Sequence, residues 1–119
     1  MIKLLLFTFI FFGCATKPVL NIEKPIPDWR KLSLEEKIAQ MIMVRIRGDF
    51  YNTESYTRKK LETMIQEKGI GGVITFGGSI HGTYHNIQHY QSISKIPLLV
   101  AADYERGIGQ WMKGGTLFP

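Results

Sequence analysis

The amino-acid sequence predicts an α/β protein built around a parallel β-sheet. Short apolar segments of strand length alternate along the chain with amphipathic segments of helix length. After a first helix, the order is strand, helix, strand, helix, strand. Because the strands are apolar throughout, the pattern predicts a sheet covered by helices on both faces. The pattern leaves open whether this sheet is a doubly wound sheet or part of a (β/α)₈ barrel.

The boundaries of the elements follow from caps, apolar spacing and glycines. The first helix begins at Ser33, which forms the sequence pattern of a capping box with Glu36. The apolar run over 41–46, closed by Gly48, predicts the first strand. The other elements follow in order: a helix over 54–68, a strand over 71–76 ended by Gly77 and Gly78, a helix over 84–94, and a strand over 98–102.

The amino terminus carries the features of an export signal. Residues 1–13 combine a short positive region with an apolar run that is too short to span a membrane. Cys14, the only cysteine, follows a small residue, as in a bacterial lipobox, so we expect it to be lipidated. The alternative is a plain signal peptide with a chance cysteine. If Cys14 is lipidated, we expect residues 14–32 to be a proline-containing tether. The protein would then be a membrane-anchored lipoprotein of the bacterial cell envelope, periplasmic or on the outer surface.

The charge pattern does not favour a nucleic-acid partner. The formal net charge is +5, but lysine and arginine are scattered among glutamates and form no stripe. We therefore expect no nucleic-acid binding.

The densest polar group follows the third strand and contains Asp103, Glu105 and Arg106. In parallel α/β folds ligands bind at the carboxyl ends of the strands, and a carboxylate at the end of a buried strand needs a purpose or a partner. Asp103 is therefore a ligand-binding candidate. Glu105, two residues on, would point the same way on an extended strand, and two such neighbours cannot straddle a glycosidic bond. The alternative for Glu105 is a structural pair with Arg106 or with backbone.

Three histidines and two aromatic residues are further candidate site residues. His81, His85 and His89 are spaced by four residues, as metal ligands on one helix face would be. However, His81 lies beside Gly82 and is expected in a loop, and no carboxylate completes the set, so the sequence predicts no metal site. Trp111 and Phe118 are either sugar-stacking aromatics or core residues, and the sequence leaves both alternatives open.

Three segments together carry a resemblance to a known family. They are 34–41 (LEEKIAQM), 69–77 (GIGGVITFG) and 97–107 (PLLVAADYERG). In this order and spacing they resemble the amino-terminal domain of glycoside hydrolase family 3. The sequences of these segments are most similar to those of the bacterial β-N-acetylhexosaminidase branch, and next to those of β-glucosidases.

The resemblance implies that 33–119 is the amino-terminal portion of a (β/α)₈ TIM barrel, incomplete in this chain. It further implies a retaining glycosidase without metal or organic cofactor, whose aspartate nucleophile and acid/base residue lie beyond Pro119, so no catalytic residue is assigned here. The aspartate that matches Asp103 hydrogen-bonds the sugar. The implied partner is a carbohydrate from cell-wall fragments or glycans, with a terminal β-N-acetylhexosaminide as the first substrate and a β-glucoside as the alternative.

The sequence departs from the family pattern at two positions, and the departure at Trp111 favours a second hypothesis. Trp111 occupies a position where the hexosaminidase branch usually has a sugar-holding arginine, and Arg106 stands where glycine is common. The alternative function is therefore a non-catalytic sugar-binding protein or a remnant surface lipoprotein.

Overall fold

A computed structural model describes residues 24–117 and shows a mixed α/β fold with a parallel sheet, as predicted. Strand β2 is central, with β1 on one side and β3 on the other, and the short β4 pairs with the far end of β2. The elements are a 3-10 turn Trp29–Lys31, α1 Leu34–Gln40, β1 Met43–Gly48, α2 Tyr56–Gln66, β2 Gly72–Ser79, α3 Ile80–Ile93, β3 Leu99–Ala102, α4 Ile108–Trp111 and β4 Met112–Lys113.

Several sequence predictions fall on residues outside this range. Four of them lie outside the described residues: the signal peptide 1–13, the lipidation site Cys14, the first part of the 14–32 tether, and Phe118. Within residues 24–117, no helix is both long and apolar enough to cross a membrane.

The predicted capping box at the start of α1 is confirmed. The Ser33 hydroxyl accepts a hydrogen bond from the Glu36 backbone N–H at 3.2 Å, and the Glu36 carboxylate accepts one from the Ser33 N–H at 2.8 Å. These two bonds satisfy amide donors that a helix end leaves without intrahelical partners. The bond from the Ser33 backbone also lowers the pKa of the Glu36 carboxyl.

The glycine pair Gly77–Gly78 does not end β2, contrary to the prediction. Both glycines have positive φ angles, 63° and 102°, and the strand continues through them to Ser79. A side chain at Gly78 would meet the backbone of Gly48 at 2.5 Å. The register with β1 shifts at this point, so the glycines allow an irregular close approach of two strand ends.

Helix α3 begins four residues earlier than predicted, which corrects the placement of His81. The hydroxyl of Ser79 accepts from the Gly82 N–H at 3.0 Å and caps the helix. Gly82 itself packs against Gly48, where an added Cβ would lie 2.2 Å from the Gly48 carbonyl oxygen. His81 was expected in a loop but lies in the first turn of α3, on the same helix as His85 and His89.

The apolar core lies on one face of the sheet. Because side chains alternate along a strand, Ile46 of β1 and Val73 of β2 point to the same side, where α2 and α3 pack. The buried core consists of Ile46, Leu61, Ile65, Ile70, Val73, Tyr90 and Leu98. Burial raises the pKa of Tyr90 to about 12.

The other face is open within the described residues, so the expectation of helices on both faces is wrong for this part of the chain. Arg45 and Phe76 lie on that face, with the Arg45 guanidinium 4.6 Å from the centre of the Phe76 ring. All four residues of β3 are exposed, and Leu99 exposes 69% of its surface. The third strand is therefore an apolar edge rather than a buried strand.

The described part of the tether is attached to the folded part of the chain through Lys24. The Lys24 ammonium donates to the backbone carbonyl oxygens of Gln91 at 2.7 Å and Ser92 at 3.0 Å, and also to that of Ser94. These carbonyls belong to the last turn and carboxyl end of α3, which a helix leaves without intrahelical donors. A lysine is well suited there because the carboxyl end of a helix carries partial negative charge.

We expect the 119-residue chain, made alone, to self-associate through the β3 edge. Leu99→Lys places a charge on this edge and should lower the average mass in solution, because an edge lysine disfavours strand pairing between molecules. Size-exclusion chromatography with light scattering measures the mass, and Thr63→Lys on exposed α2 surface is the charge-matched control. A wild-type chain that stays monomeric at tens of micromolar, roughly the range where exposed edges associate, would contradict the expectation.

Candidate functional site

The hydrogen-bond ladder between β2 and β3 determines the position of Asp103. The Leu99 N–H donates to the Gly71 carbonyl at 2.9 Å, and the Asp103 N–H donates to the Thr75 carbonyl at 3.2 Å. Asp103 therefore continues the pairing of β3, one residue beyond its end at Ala102. Since alternate residues share a face, Asp103 lies on the side of Leu99, which is the open face opposite α2 and α3.

The predicted position of Asp103 at the carboxyl end of the third strand is therefore confirmed, but its environment differs. Asp103 is exposed, and β3 is an exposed edge. The argument that burial makes this carboxylate costly thus fails within the described residues. The strand instead fixes the position of the Asp103 carboxylate, at the edge where the strands of a parallel sheet end.

Tyr104 secures this end of the strand from the opposite face, and sequence reasoning missed it. Its hydroxyl donates to the Thr75 Oγ1 at 2.7 Å, and the Thr75 hydroxyl donates to the Ala101 carbonyl at 3.3 Å. Thr75 is buried on the helix side of β2. The signal in the sequence was a threonine within an otherwise apolar strand, since a buried hydroxyl needs a partner.

Glu105 lies in a turn and not on an extended strand with Asp103, contrary to the prediction. The chain leaves the extended conformation after Tyr104, whose carbonyl accepts from the Gly107 N–H at 3.1 Å and closes a turn. The ion pairs found within residues 24–117 do not join Glu105 to Arg106. The Glu105 backbone carbonyl instead accepts from the indole N–H of Trp111 at 2.7 Å.

Arg106 occupies a strained backbone position in this turn. Its φ is 64°, in the left-handed region that residues with a side chain rarely adopt, and the next residue, Gly107, has φ 101°. This explains why a glycine suits the position where this chain carries arginine.

Trp111 lies beside this turn and is half-exposed, at 44%. Trp111 is thus not a core residue within residues 24–117, and its indole N–H is engaged with the turn. A shallow cavity of about 290 Å³ lies next to it, at the carboxyl ends of β1 and β2. Its charged lining residues are Arg47, Asp49 and Lys113, of which Arg47 and Asp49 form an ion pair at 2.8 Å. Neither Arg47 nor Asp49 was singled out from the sequence.

A second, larger cavity of about 550 Å³ lies on the helix side, between the segment after β1 and helix α3. One end of it holds an ion network in which the Glu62 carboxylate accepts from Arg58 Nε at 2.8 Å and lies 2.7 Å from His89 Nε2. Hydrogen bonding to Arg58, followed by that to His89, lowers the pKa of Glu62. This network joins α2 to α3.

The same cavity is lined by His81 and His85, whose Nε2 atoms lie 3.0 Å apart. His89 belongs to the network with Glu62 instead. Within the described residues, no group of three or more histidine, cysteine, aspartate or glutamate side chains converges on a position where a metal ion could lie.

Replacing Arg106 with glycine should stabilise the chain by about 1 kcal/mol, because it removes the penalty of a side chain at positive φ. The matched control is Arg106→Ala, which removes the same charge but keeps the Cβ and should give no such gain. Urea unfolding followed by circular dichroism measures both variants. Equal midpoints for the two variants would contradict the strain at this residue.

The Glu62 network should make stability depend on pH in the range where carboxyls protonate. Because the pKa of Glu62 is lowered in the folded chain, its contribution is complete above the unfolded pKa and is lost as pH falls through the folded value. We expect the urea midpoint of the wild type to fall between pH 5 and pH 3, roughly the range in which carboxyls protonate, more steeply than that of Glu62→Gln. Glu67→Gln, on the exposed end of the same helix, should keep the wild-type slope.

Comparison with known proteins identifies the family. Residues 33–119 match the family model described as the glycosyl hydrolase family 3 N terminal domain. A comparison with curated proteins finds no matching relative. The matched span contains the whole β/α order from α1 to β4, the strand end at Asp103 and the turn after it. The chain therefore belongs to the glycosyl hydrolase family 3 N-terminal domain family.

Proposed function

We propose that this chain is the sugar-binding, amino-terminal part of a retaining glycosidase that removes terminal β-N-acetylhexosamine from carbohydrates. Family membership supports a glycoside hydrolase with a carbohydrate substrate. The observation that carries the proposal is Asp103, which lies at the carboxyl end of a parallel strand, exposed and on the open face of the sheet. The sequences of the three matching segments, 34–41, 69–77 and 97–107, favour the hexosaminide over a β-glucoside, which is the alternative substrate.

The arrangement of the strands supports a (β/α)₈ barrel as the complete fold. Strands β1, β2 and β3 follow one another in chain order, with the core under α2 and α3 on one face. A doubly wound sheet would reverse its strand order at a switch point and place helices on both faces. In a barrel, the open face that carries Arg45 and Phe76 becomes the interior, which further strands would close.

In this mechanism, Asp103 binds the sugar and lowers the barrier without being the nucleophile. Its carboxylate accepts hydrogen bonds from ring hydroxyls, and these bonds strengthen as the ring distorts towards the oxocarbenium ion. The nucleophile and the acid/base residue of the family have no counterpart within this chain. We place them beyond Pro119, and the mechanism requires no metal or organic cofactor.

The positive charge that the hexosaminidase branch supplies at the position of Trp111 has a neighbouring substitute. Arg47 and Lys113 line the same shallow cavity as Trp111, at the ends of β1 and β4. A guanidinium is a strong donor to hydroxyl and amide oxygens of a sugar. The exposed indole face of Trp111 offers a stacking surface beside it.

The proposed location is the bacterial cell envelope. A signal peptide over 1–13 would export the chain, lipidated Cys14 would anchor it to a membrane, and residues 14–32 would tether the domain to its anchor. Carbohydrates of the envelope are then within its reach.

A second candidate function is sugar binding without hydrolysis. The observation in its favour is Trp111, whose indole N–H bonds to the turn after Asp103 where the hexosaminidase branch has an arginine. The two functions differ in turnover, and not in the role of Asp103.

In the protein encoded by the complete reading frame, Asp103→Asn should lower kcat/KM for a chromogenic β-N-acetylglucosaminide by about 10- to 100-fold, since a hydrogen bond to a charged group contributes about 1.5–3 kcal/mol. Asp28→Asn, at the residue that caps the 3-10 turn before the domain, is the matched control and should keep wild-type activity. The 119-residue chain alone should be inactive.

Either of two results would contradict the proposal. Hydrolysis by the 119-residue chain would mean that the catalytic groups lie within it. Wild-type kcat/KM in Asp103→Asn would remove this residue from the sugar site. A protein that binds N-acetylglucosamine but hydrolyses neither the hexosaminide nor a β-glucoside would favour the second candidate function.

A further inference from the structure

Two imidazoles on helix α3 converge outside the proposed sugar site. His81 and His85 are four residues apart in the first two turns of the helix, so their side chains lie on one face. Their rings meet edge to face with centroids 4.4 Å apart, and the two Nε2 atoms are separated by 3.0 Å. Both side chains are exposed.

At this separation one imidazole donates a hydrogen bond to the other, and a metal ion shared by both nitrogens would take the place of that proton. Imidazole nitrogens bind zinc at about 2.0–2.1 Å, so two nitrogens 3.0 Å apart can both reach one ion with an N–metal–N angle of roughly 90–95°. An increase of the Nε2–Nε2 distance to about 3.4 Å would give the tetrahedral N–metal–N angle. Two histidines at i and i+4 on one helix are also the spacing with which metalloprotease helices hold zinc.

The backbone that carries the pair is held rigidly. Ser79 caps the helix one turn before the pair, and Gly82 packs against the backbone of Gly48. Directly after His85, the Asn86 side-chain amide donates to the carbonyl oxygens of Arg47 and Asp49, each at 2.9 Å. Ligands on a fixed helix lose little conformational freedom when they bind, which favours a preorganised site.

The neighbouring groups limit the site to two protein ligands. His89 is engaged with Glu62, and the Asp49 carboxylate is paired with Arg47. No third histidine, cysteine, aspartate or glutamate joins the pair within residues 24–117. The remaining coordination positions would be filled by water or by a small ligand from solution, since zinc favours four ligands.

We propose that His81 and His85 form a bidentate surface site for a divalent transition-metal ion of the kind that favours imidazole, with Zn²⁺ as the probe. The site is independent of the proposed glycosidase mechanism. The four-residue spacing of the histidines is visible in the sequence. Because His81 was expected in a loop, the sequence did not predict that His81 and His85 share a helix face.

The test titrates Zn²⁺ into the full 119-residue chain in a non-ionic detergent and measures binding by isothermal titration calorimetry. We expect one ion per chain, with affinity lowered at least tenfold in His81→Gln and, separately, in His85→Gln. His89→Gln is the matched control and should bind within threefold of the wild type. Cys14→Ser should also bind like the wild type, which excludes the thiol as the ligand.

A second measurement keeps the outcome interpretable if a variant folds poorly. In the wild type, Zn²⁺ should shift the imidazole NMR signals of two of the three histidines. The proposal is overturned if the wild type does not bind Zn²⁺, if either His81→Gln or His85→Gln keeps wild-type affinity, if Cys14→Ser abolishes binding, or if all three histidine signals stay unchanged.

Discussion

The parallel ladder between β2 and β3 is the constraint on which the proposed sugar site depends. It runs from the Leu99 N–H to the Asp103 N–H, and it fixes on which face of the sheet each residue of β3 lies. Even-numbered residues of β3 share the helix side with Leu98 of the core, and odd-numbered residues share the open side. A shift of one residue in this register would move Asp103 to the helix side and remove it from the site.

Two interactions beyond the ladder keep this strand end in place. Tyr104 points to the helix side and bonds to buried Thr75, so that Asp103, its neighbour, points to the other side. The Trp111 indole then holds the turn through the carbonyl of Glu105. The two residues that follow the aspartate are therefore anchored, although its own side chain is exposed.

The open face of the sheet and the helix side carry different polar groups. The open face carries Asp103, and the cavity beside Trp111 lies at the carboxyl ends of β1 and β2. The helix side carries the ion network of Glu62 and the histidine pair. The two cavities share Asp49 in their lining, whereas Asp103 lies on the face of the sheet opposite α2 and α3.

Most of the fold was predictable from local signals, and the differences have identifiable physical causes. The capping box at Ser33 and the order of strands and helices could be read from spacing alone. The position of Asp103 followed from the apolar run before it. The start of α3 at Ile80 differs from the predicted start because the cap at Ser79 follows a glycine pair, which at positive φ bends the strand and does not end it.

Other features depend on residues that are distant in the chain. The exposure of β3 reflects what packs against it, which the composition of the strand does not reveal. Thr75 and Tyr104 are 29 residues apart, and Arg47 reaches the Trp111 cavity only because β1 and β4 both flank β2. Such contacts follow from the register of the sheet and not from any local pattern.

The most direct measurement is a crystal structure of the protein from the complete reading frame with N-acetylglucosamine bound. The account predicts that a carboxylate oxygen of Asp103 lies about 2.5–3.0 Å from a ring hydroxyl, on the face of the sheet opposite α2 and α3. A sugar bound instead in the helix-side cavity between Tyr51 and His85, or at the carboxyl edge without contact to Asp103, would contradict it.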